Sequence, residues 1–350
     1  MKAVALSPSR DPELVDRPDP RPAADEVVIR PHYCGICGSD LHAKENRVYR
    51  PGVVLGHEFA GEILQAGPEV RGWEVGQLVT VNPNGNVCHR CAACRSGRPN
   101  LCTVATLERP AGVARDGGMA ELVALHTSYL QPLPDGLGTR RAAWTEPLAV
   151  AVRAVRTSPA KVGDRVVIIG GGPIGQLVLQ VLRRAGMGRV AMVEPSTFRR
   201  QTATRLGADQ ALAPDEARKA LAGGELAPLD HVFECSGHST SVQLGIDLLA
   251  PGGSLRLVGV SPRPVAFDPF TAINKEASIL TGFIYVEEEF AQAVLLLASG
   301  AVDVDTLTTA VVPLERFADA FAALRQPEST MKVLIGPKQS TGGSEATTTV

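Results

Sequence analysis

Val166-Val167-Ile168-Ile169-Gly170-Gly171-Gly172-Pro173-Ile174-Gly175 decides how the rest of the chain is read. The four apolar residues form an unbroken run of the kind buried on both faces of a parallel sheet. The glycines behind them satisfy G-x-G-x-x-G at the mouth of a helix. Gly170 permits the tight turn, Gly172 lets the backbone approach a pyrophosphate, and Gly175 lets the helix pack closely on the strand. Pro173 and Ile174 open the helix, whose first free N–H groups, from Ile174 onward, face that anion. Ile174, Leu177, Val178, Val181 and Leu182 then repeat at i, i+3, i+4, i+7 and i+8, the stripe of an amphipathic helix. Val190-Ala191-Met192-Val193 is the next strand, and Glu194 ends it nineteen positions after Gly175, placed to accept from both ribose hydroxyls of an adenosine. The glycine motif alone is weak. The strand, the helix and the acid together make it a dinucleotide site.

Working outward, the alternation continues through His231-Val232-Phe233, a helix near 241–249 and a strand from Leu255 to Val260. Strand and helix in succession predict a doubly wound parallel sheet. Two more helices follow: Glu287 to Ser299, stopped by Gly300, and Glu315 to Arg325, stopped before Pro327. Upstream the texture differs. Residues 1 to about 147 are rich in Gly and Pro, with short β-type runs at Val27-Val28-Ile29, Val53-Val54-Leu55 and Leu78-Val79-Thr80-Val81. These predict a β-rich domain with long loops. The fold class is therefore α/β with a separate β-rich part. Residues 337–350 are rich in Gly, Ser and Thr without apolar periodicity and are expected to be a disordered tail.

The 350 residues exceed one ordinary domain. With 44% hydrophobic and 21% charged residues, the composition is that of a soluble globular protein. A net charge of −2 offers no electrostatic footprint for nucleic acid or an acidic membrane surface. No apolar run reaches a membrane span, and the first twenty residues lack the apolar core of a secretory signal. The expected location is the cytoplasm, and the expected partner a small molecule.

Seven cysteines then point to metal rather than disulfides. Cys88, Cys91, Cys94 and Cys102 supply four thiolates within fifteen residues, the donor set of a closed, tetrahedral structural zinc site. A second constellation is dispersed: Cys34-Gly-Ile-Cys37-Gly-Ser39-Asp40-Leu-His42, then Gly56-His57-Glu58, then Thr145-Glu146-Pro147. Singly, these read as a redox pair, a satisfied histidine and a helix-start carboxylate. Together they offer thiolate, imidazole and carboxylate, suited to a catalytic zinc with an exchangeable position.

CGICGSDLH (34–42), GHE (56–58), the four-cysteine lobe, EPLAVA (146–151), GGGPIG (170–175) and ECSG (234–237) occur in the order found in one family. Over residues 1 to about 336 the chain resembles the zinc-dependent medium-chain dehydrogenase/reductase family, which includes alcohol, sorbitol, butanediol and threonine dehydrogenases. The resemblance implies a GroES-like β-rich catalytic domain, residues 1–147 and 284–336, carrying both zincs. A Rossmann domain, residues 148–283, is inserted in it. The catalytic zinc would take Cys37 and His57, with Glu58 as ligand or exchanging neighbour. Glu146 falls where some members place a third protein ligand, and where polyol-type members carry a Glu that often holds the water instead. Cys34 is not carried over as a ligand. Asp40 matches the group that orients the His ligand, and Ser39 and His42 match a proton relay to solvent. Arg199 and Lys332 fall near positions that touch the cofactor.

The activity so implied is hydride transfer between a secondary alcohol or polyol, or its ketone, and NAD(P). A carboxylate at Glu194 favours NAD, whereas Arg199 and Arg200 could pair with the 2′-phosphate of NADP. The alternative is an epimerase or isomerase that retains NAD with no net redox. A retired enzyme would show missing metal ligands, and none is missing. The substrate pocket would be lined from 43–52, Trp144 and 283–285. A homodimer or homotetramer is implied through the apolar sheet edge near 277–283.

Overall fold

The computed structural model describes residues 1–45, 48–223, 228–261, 263–326 and 328–337. The expected tail lies outside them, apart from its first residue, Pro337.

A six-stranded, all-parallel sheet runs, in spatial order, Gln210–Leu212, Arg189–Val193, Arg165–Ile169, Leu229–Glu234, Leu249–Leu257, Ser278–Thr281. Counted along the chain that order is 3-2-1-4-5-6, the doubly wound arrangement. Its direction reverses between Arg165–Ile169 and Leu229–Glu234. The two loops leaving those strands are the glycine motif and ECSG, which places both at the switch point where such sheets bind ligands. Ile168 stands level with Met192 on one side and Phe233 on the other, and all three are buried.

Helix Pro173–Arg184 starts directly behind the glycines because Pro173 needs no N–H partner in a first turn. Its approach to the strand depends on Gly175: a Cβ there would strike the Gly170 carbonyl oxygen. Gly170 has φ +100°, a conformation that favours glycine. Helices Thr145–Arg156 and Glu287–Ala298 pack on this assembly and share its core through Leu148, Val152, Leu177, Phe290 and Val294.

The second sheet has seven strands. Along its length lie Thr308–Val312, Lys332–Ile335, Glu26–Gly35, Glu58–Ala66, Leu78–Val81 and Leu130–Pro132, with Val123–His126 paired to Glu26–Gly35. Two of these strands come from the end of the chain, so the polypeptide leaves the β-rich part, builds the parallel sheet, and returns at Thr308. Lys332–Ile335 closes the return by pairing antiparallel to Glu26–Gly35, with Leu334 opposite Gly35.

Three local expectations differ. Val53-Val54-Leu55 is no strand of its own: it lies between Gly52 and Gly56, both at positive φ, and forms a single bridge from Val54 to Ala5. The strand expected to run to Val260 ends at Leu257, because Val258 and Gly259 turn to donate to the Glu234 carbonyl. The last helix begins as a 3₁₀ turn, Leu314–Arg316, and becomes α-helical over Phe317–Leu324.

Candidate active site and metal centres

Glu26–Gly35 ends where the cysteine motif begins. Cys37 is the N-cap of a one-turn helix, Gly38–Leu41, and Asp40 folds back so that its Oδ2 accepts from the Cys37 N–H at 2.9 Å. The other oxygen, Oδ1, lies 3.5 Å from His57 Nδ1. Asp40 is buried, so it orients the imidazole and leaves Nε2 as the nitrogen available to a metal. His57 follows Gly56, whose φ of +96° makes the turn and whose missing Cβ leaves room for Cys34 Sγ and Met119. Glu58 then opens its strand, opposite Gly35.

Ligand atoms of Cys37, His57 and Glu58 all lie within 4.8 Å of one another. Cys34 is outside this group; it is fully buried, and burial holds its thiol well above the ordinary range. Glu146 is in the first turn of Thr145–Arg156, where a helix dipole favours a carboxylate. It is close enough for its charge to be felt by His57, Glu58 and Lys332. Burial first, and then Glu58, push its carboxyl up to about 7, against the pull of His57 and Lys332.

Three buried carboxylates, Asp40, Glu58 and Glu146, thus surround a thiol and one buried ammonium, Lys332, which pairs with Glu58. Burial opposes a charge on His57, but Asp40 and then Cys37 outweigh it and lift the imidazole well above its ordinary pKa. This excess of buried negative charge around a thiol and an imidazole fits a divalent cation bound by thiolate, imidazole and carboxylate.

Ser39 is half-buried and His42 exposed, and the bond that joins them is a backbone one, the His42 N–H donating to the Ser39 carbonyl at 3.2 Å. His42 Nδ1 instead lies 4.0 Å from Glu45. A partner that sequence reading missed stands at the relay: the Tyr49 hydroxyl is 2.8 Å from Ser39 Oγ and 3.2 Å from Asp40 Oδ1. With a single proton it can donate to only one of them at a time. Lys332, expected against the cofactor, points instead into the metal group. Tyr285 is buried and its hydroxyl faces Glu146 and Asn84. Neither Tyr49 nor Lys332 belongs to a motif, so only the fold shows where they go.

The four-cysteine lobe is local. Its sulfurs lie within 4.8 Å of one another, and three accept backbone N–H groups: Cys102 from Cys88, Cys88 from Cys91 and Cys91 from Cys94, at 3.4–3.5 Å. The backbone N–H groups of Arg90 and Cys91 hold the Cys88 thiol down to about 6, while burial and neighbouring sulfurs push Cys94 up to about 12. Four thiols that cannot all ionise together unaided are a donor set that fits zinc. Asn100 in the lobe donates to the Phe283 carbonyl at 3.0 Å and ties it to the segment just after strand Ser278–Thr281.

At the dinucleotide site the Glu194 carboxylate is buried against the glycine loop. One oxygen accepts from Gly171 N–H at 2.6 Å and the other from Ser196 N–H at 2.9 Å. Each retains a lone pair for a hydroxyl. The Arg199 side chain reaches over Gly172, with Nε unpartnered, whereas Arg200 is spent on the Glu194 and Pro195 carbonyls and Thr197. The opposite wall is ECSG. Glu234 accepts from Ser236 and Gly237 and folds the turn that backs Gly170.

Comparison with known proteins follows the same division. Residues 23–135 match the alcohol dehydrogenase GroES-like domain, and residues 173–299 match the zinc-binding dehydrogenase domain. A sorbitol dehydrogenase of Halalkalibacterium halodurans is 35% identical, over 92% of this chain and 94% of its own. The structure of 2R,3R-butanediol dehydrogenase from Bacillus subtilis superposes with a TM-score of 0.85 at 29% identity, covering 96% of this chain and 99% of that one. A Sinorhizobium meliloti structure, described as a zinc-binding dehydrogenase bound to NADP, has a TM-score of 0.86 at 32% identity over 96% and 99%.

The two metal groups should fail differently. Cys91→Ser should lose one zinc and lower the melting temperature by about 5 °C or more, because a structural site's binding energy is folding energy. Cys37→Ser should lose the other zinc and all turnover while circular dichroism stays unchanged. Metal analysis with thermal melts checks both. A Cys91→Ser chain as stable as the parent would end the structural assignment.

Proposed function

The chain belongs to the zinc-dependent medium-chain dehydrogenase family, and from that membership we propose that it oxidises a secondary hydroxyl of a polyol or diol, or reduces the matching ketone, with NAD. The observation that carries this reading is the Cys37–His57–Glu58 group with Glu146 beside it. Three carboxyl-bearing side chains around the metal group, Asp40 included, suit a hydroxyl-rich substrate better than an apolar one. The sorbitol and butanediol dehydrogenases named above act on compounds of that class.

Zinc, when bound, supplies the Lewis acidity that makes a hydroxyl easier to deprotonate near neutral pH. Cys37 and His57 would hold it, with Glu58 as third ligand or exchanging neighbour. Glu146 is placed to orient a water or substrate hydroxyl from the helix terminus. Asp40 holds the imidazole, and Ser39 receives the substrate proton and passes it by way of Tyr49 or solvent toward exposed His42. Hydride acceptance belongs to the nicotinamide; the chain contributes position and charge. In this reading residues 1–147 and 284–336 form the catalytic part and 148–283 the dinucleotide-binding part, on which helix Glu287–Ala298 also packs. Gly170, Gly172, Pro173, Ile174 and Gly175 cradle the pyrophosphate, with Arg199 above them.

The preference for NAD rests on Glu194. Its carboxylate is fixed by Gly171 and Ser196, so it cannot turn to solvent to admit a 2′-phosphate. Arg200 is already occupied, which leaves Arg199 as the one nearby guanidinium for such a phosphate. A cytoplasmic location accords with seven free thiols. No helix among the described residues is long and apolar enough to cross a membrane. A second copy of the chain is proposed at the edge strand Ser278–Thr281, because Phe270, Ile273, Ile279 and Phe283 are exposed there.

Three measurements test this reading. With NAD and a panel of polyols and 2,3-diols, absorbance at 340 nm should rise; conversion of substrate with no NADH build-up would favour the epimerase. Glu194→Ser should narrow the ratio of kcat/KM for NAD over NADP by about one to two decades, the worth of a charge-assisted hydrogen bond of roughly 1.5–3 kcal/mol. A wild-type ratio favouring NADP would reverse the assignment. Light scattering should give a dimer or tetramer, and a monomer mass counts against the edge contact.

A further inference from the structure

We propose that Lys332 is a positioning residue that competes with the metal for the Glu58 carboxylate, and so keeps one coordination position exchangeable. The inference rests on the reading of Cys37, His57 and Glu58 as the catalytic metal group.

Lys332 opens the last strand of the chain and is 3% exposed. Strand pairing brings it near Glu58: Leu334, two residues further along the same strand, is opposite Gly35, and Gly35 is opposite Glu58. Gly35 has no side chain to separate them. A Cβ at that position would strike both Glu58 Oε2 and Lys332 Cε. The ammonium pairs with Glu58 Oε2, and its other near neighbour is the Trp144 ring, 5.6 Å from Nζ. Trp144 is itself fixed by an Nε1–H bond to Thr308 at 3.0 Å. Among the described residues Glu58 is the only carboxylate in ion-pair contact with Lys332.

The same carboxylate is within 4.8 Å of the Cys37 and His57 ligand atoms. Two cations therefore address one buried group from different sides. If Glu58 moves fully onto the metal, Lys332, 3% exposed, loses its one ion-pair partner among the described residues, which is strongly unfavourable. If Glu58 stays with Lys332, the metal keeps Cys37 and His57 and has positions left for water and substrate. Holding the pair near balance is a geometric task, and a lysine delivered by the chain's closing strand performs it. A lysine that merely touched the cofactor would need an exposed tip.

The test uses the full-length protein and two readouts that do not depend on turnover: zinc release to a chromogenic chelator, and the visible spectrum of the cobalt-substituted catalytic site. Lys332→Met frees Glu58 for the metal. It should slow release of one of the two zincs by about tenfold or more and change the cobalt spectrum toward a higher coordination number. In a Glu58→Gln background the same substitution should change release by less than about twofold, because the effect runs through Glu58. Lys332→Gln, which keeps a donor for Glu58, should fall between Lys332→Met and wild type, and it serves if Lys332→Met does not fold. Equal release rates in Lys332→Met and wild type would overturn the proposal. So would the same slowing in both backgrounds, which would make Lys332 a distant countercharge only. A wild-type chain that loads a single zinc would instead remove the metal reading beneath it.

Discussion

The structure depends on one electrostatic constraint: Asp40, Glu58 and Glu146 are buried beside the half-buried Cys37 thiol, and among the described residues Lys332 is the one ammonium buried with them. Carboxylates are tolerated away from water only when paired or metal-bound. Each comes from a different place: Asp40 from a one-turn helix, Glu58 from a strand start, Glu146 from a helix N-terminus, Lys332 from the final strand. The group therefore exists only when the β-rich sheet is complete, including the strand contributed from the end of the chain. Elements that look peripheral, such as the return at Thr308, are conditions for the chemistry.

The dinucleotide site obeys a simpler rule, steric rather than electrostatic. Gly175 must lie against the Gly170 carbonyl for the helix terminus to reach the switch point, and Ser236 must back Gly170 from the other side. Glu194 adds to the rigidity by accepting from Gly171, so the residue proposed to read the ribose is also one that shapes the loop. Preorganisation of this kind limits what must be ordered when a cofactor arrives.

The parallel sheet was legible because its signals are local: buried runs, glycines at fixed offsets and a helical stripe adjoining in sequence. The cysteine lobe was legible for the same reason. Val53-Val54-Leu55 misled because an apolar triplet says nothing about the positive-φ glycines that bound it. Tyr49 and Lys332 were harder. A tyrosine in a loop and a lysine opening a strand are ordinary on a surface, and their burial against Asp40 and Glu58 follows from contacts nine to hundreds of residues apart. Tyr285 was named only as pocket lining, and its approach to Glu146 follows from how two helices pack.

The two metal groups differ in how they relate to folding, and the difference follows from chain separation. The cysteine lobe spans 88–102 and has three sulfurs held by N–H groups of the lobe itself, so its donors can gather with little help from the rest of the molecule. A cation would let all four ionise, which would make metal binding and local folding one event. The Cys37 group is assembled from distant segments by the seven-stranded sheet and helix Thr145–Arg156, each held by a large apolar core. There the fold itself confines negative charge that a cation would neutralise. A site built that way can leave a coordination position open, because its geometry does not rely on the metal to hold it together. The lobe cannot, and has no reason to.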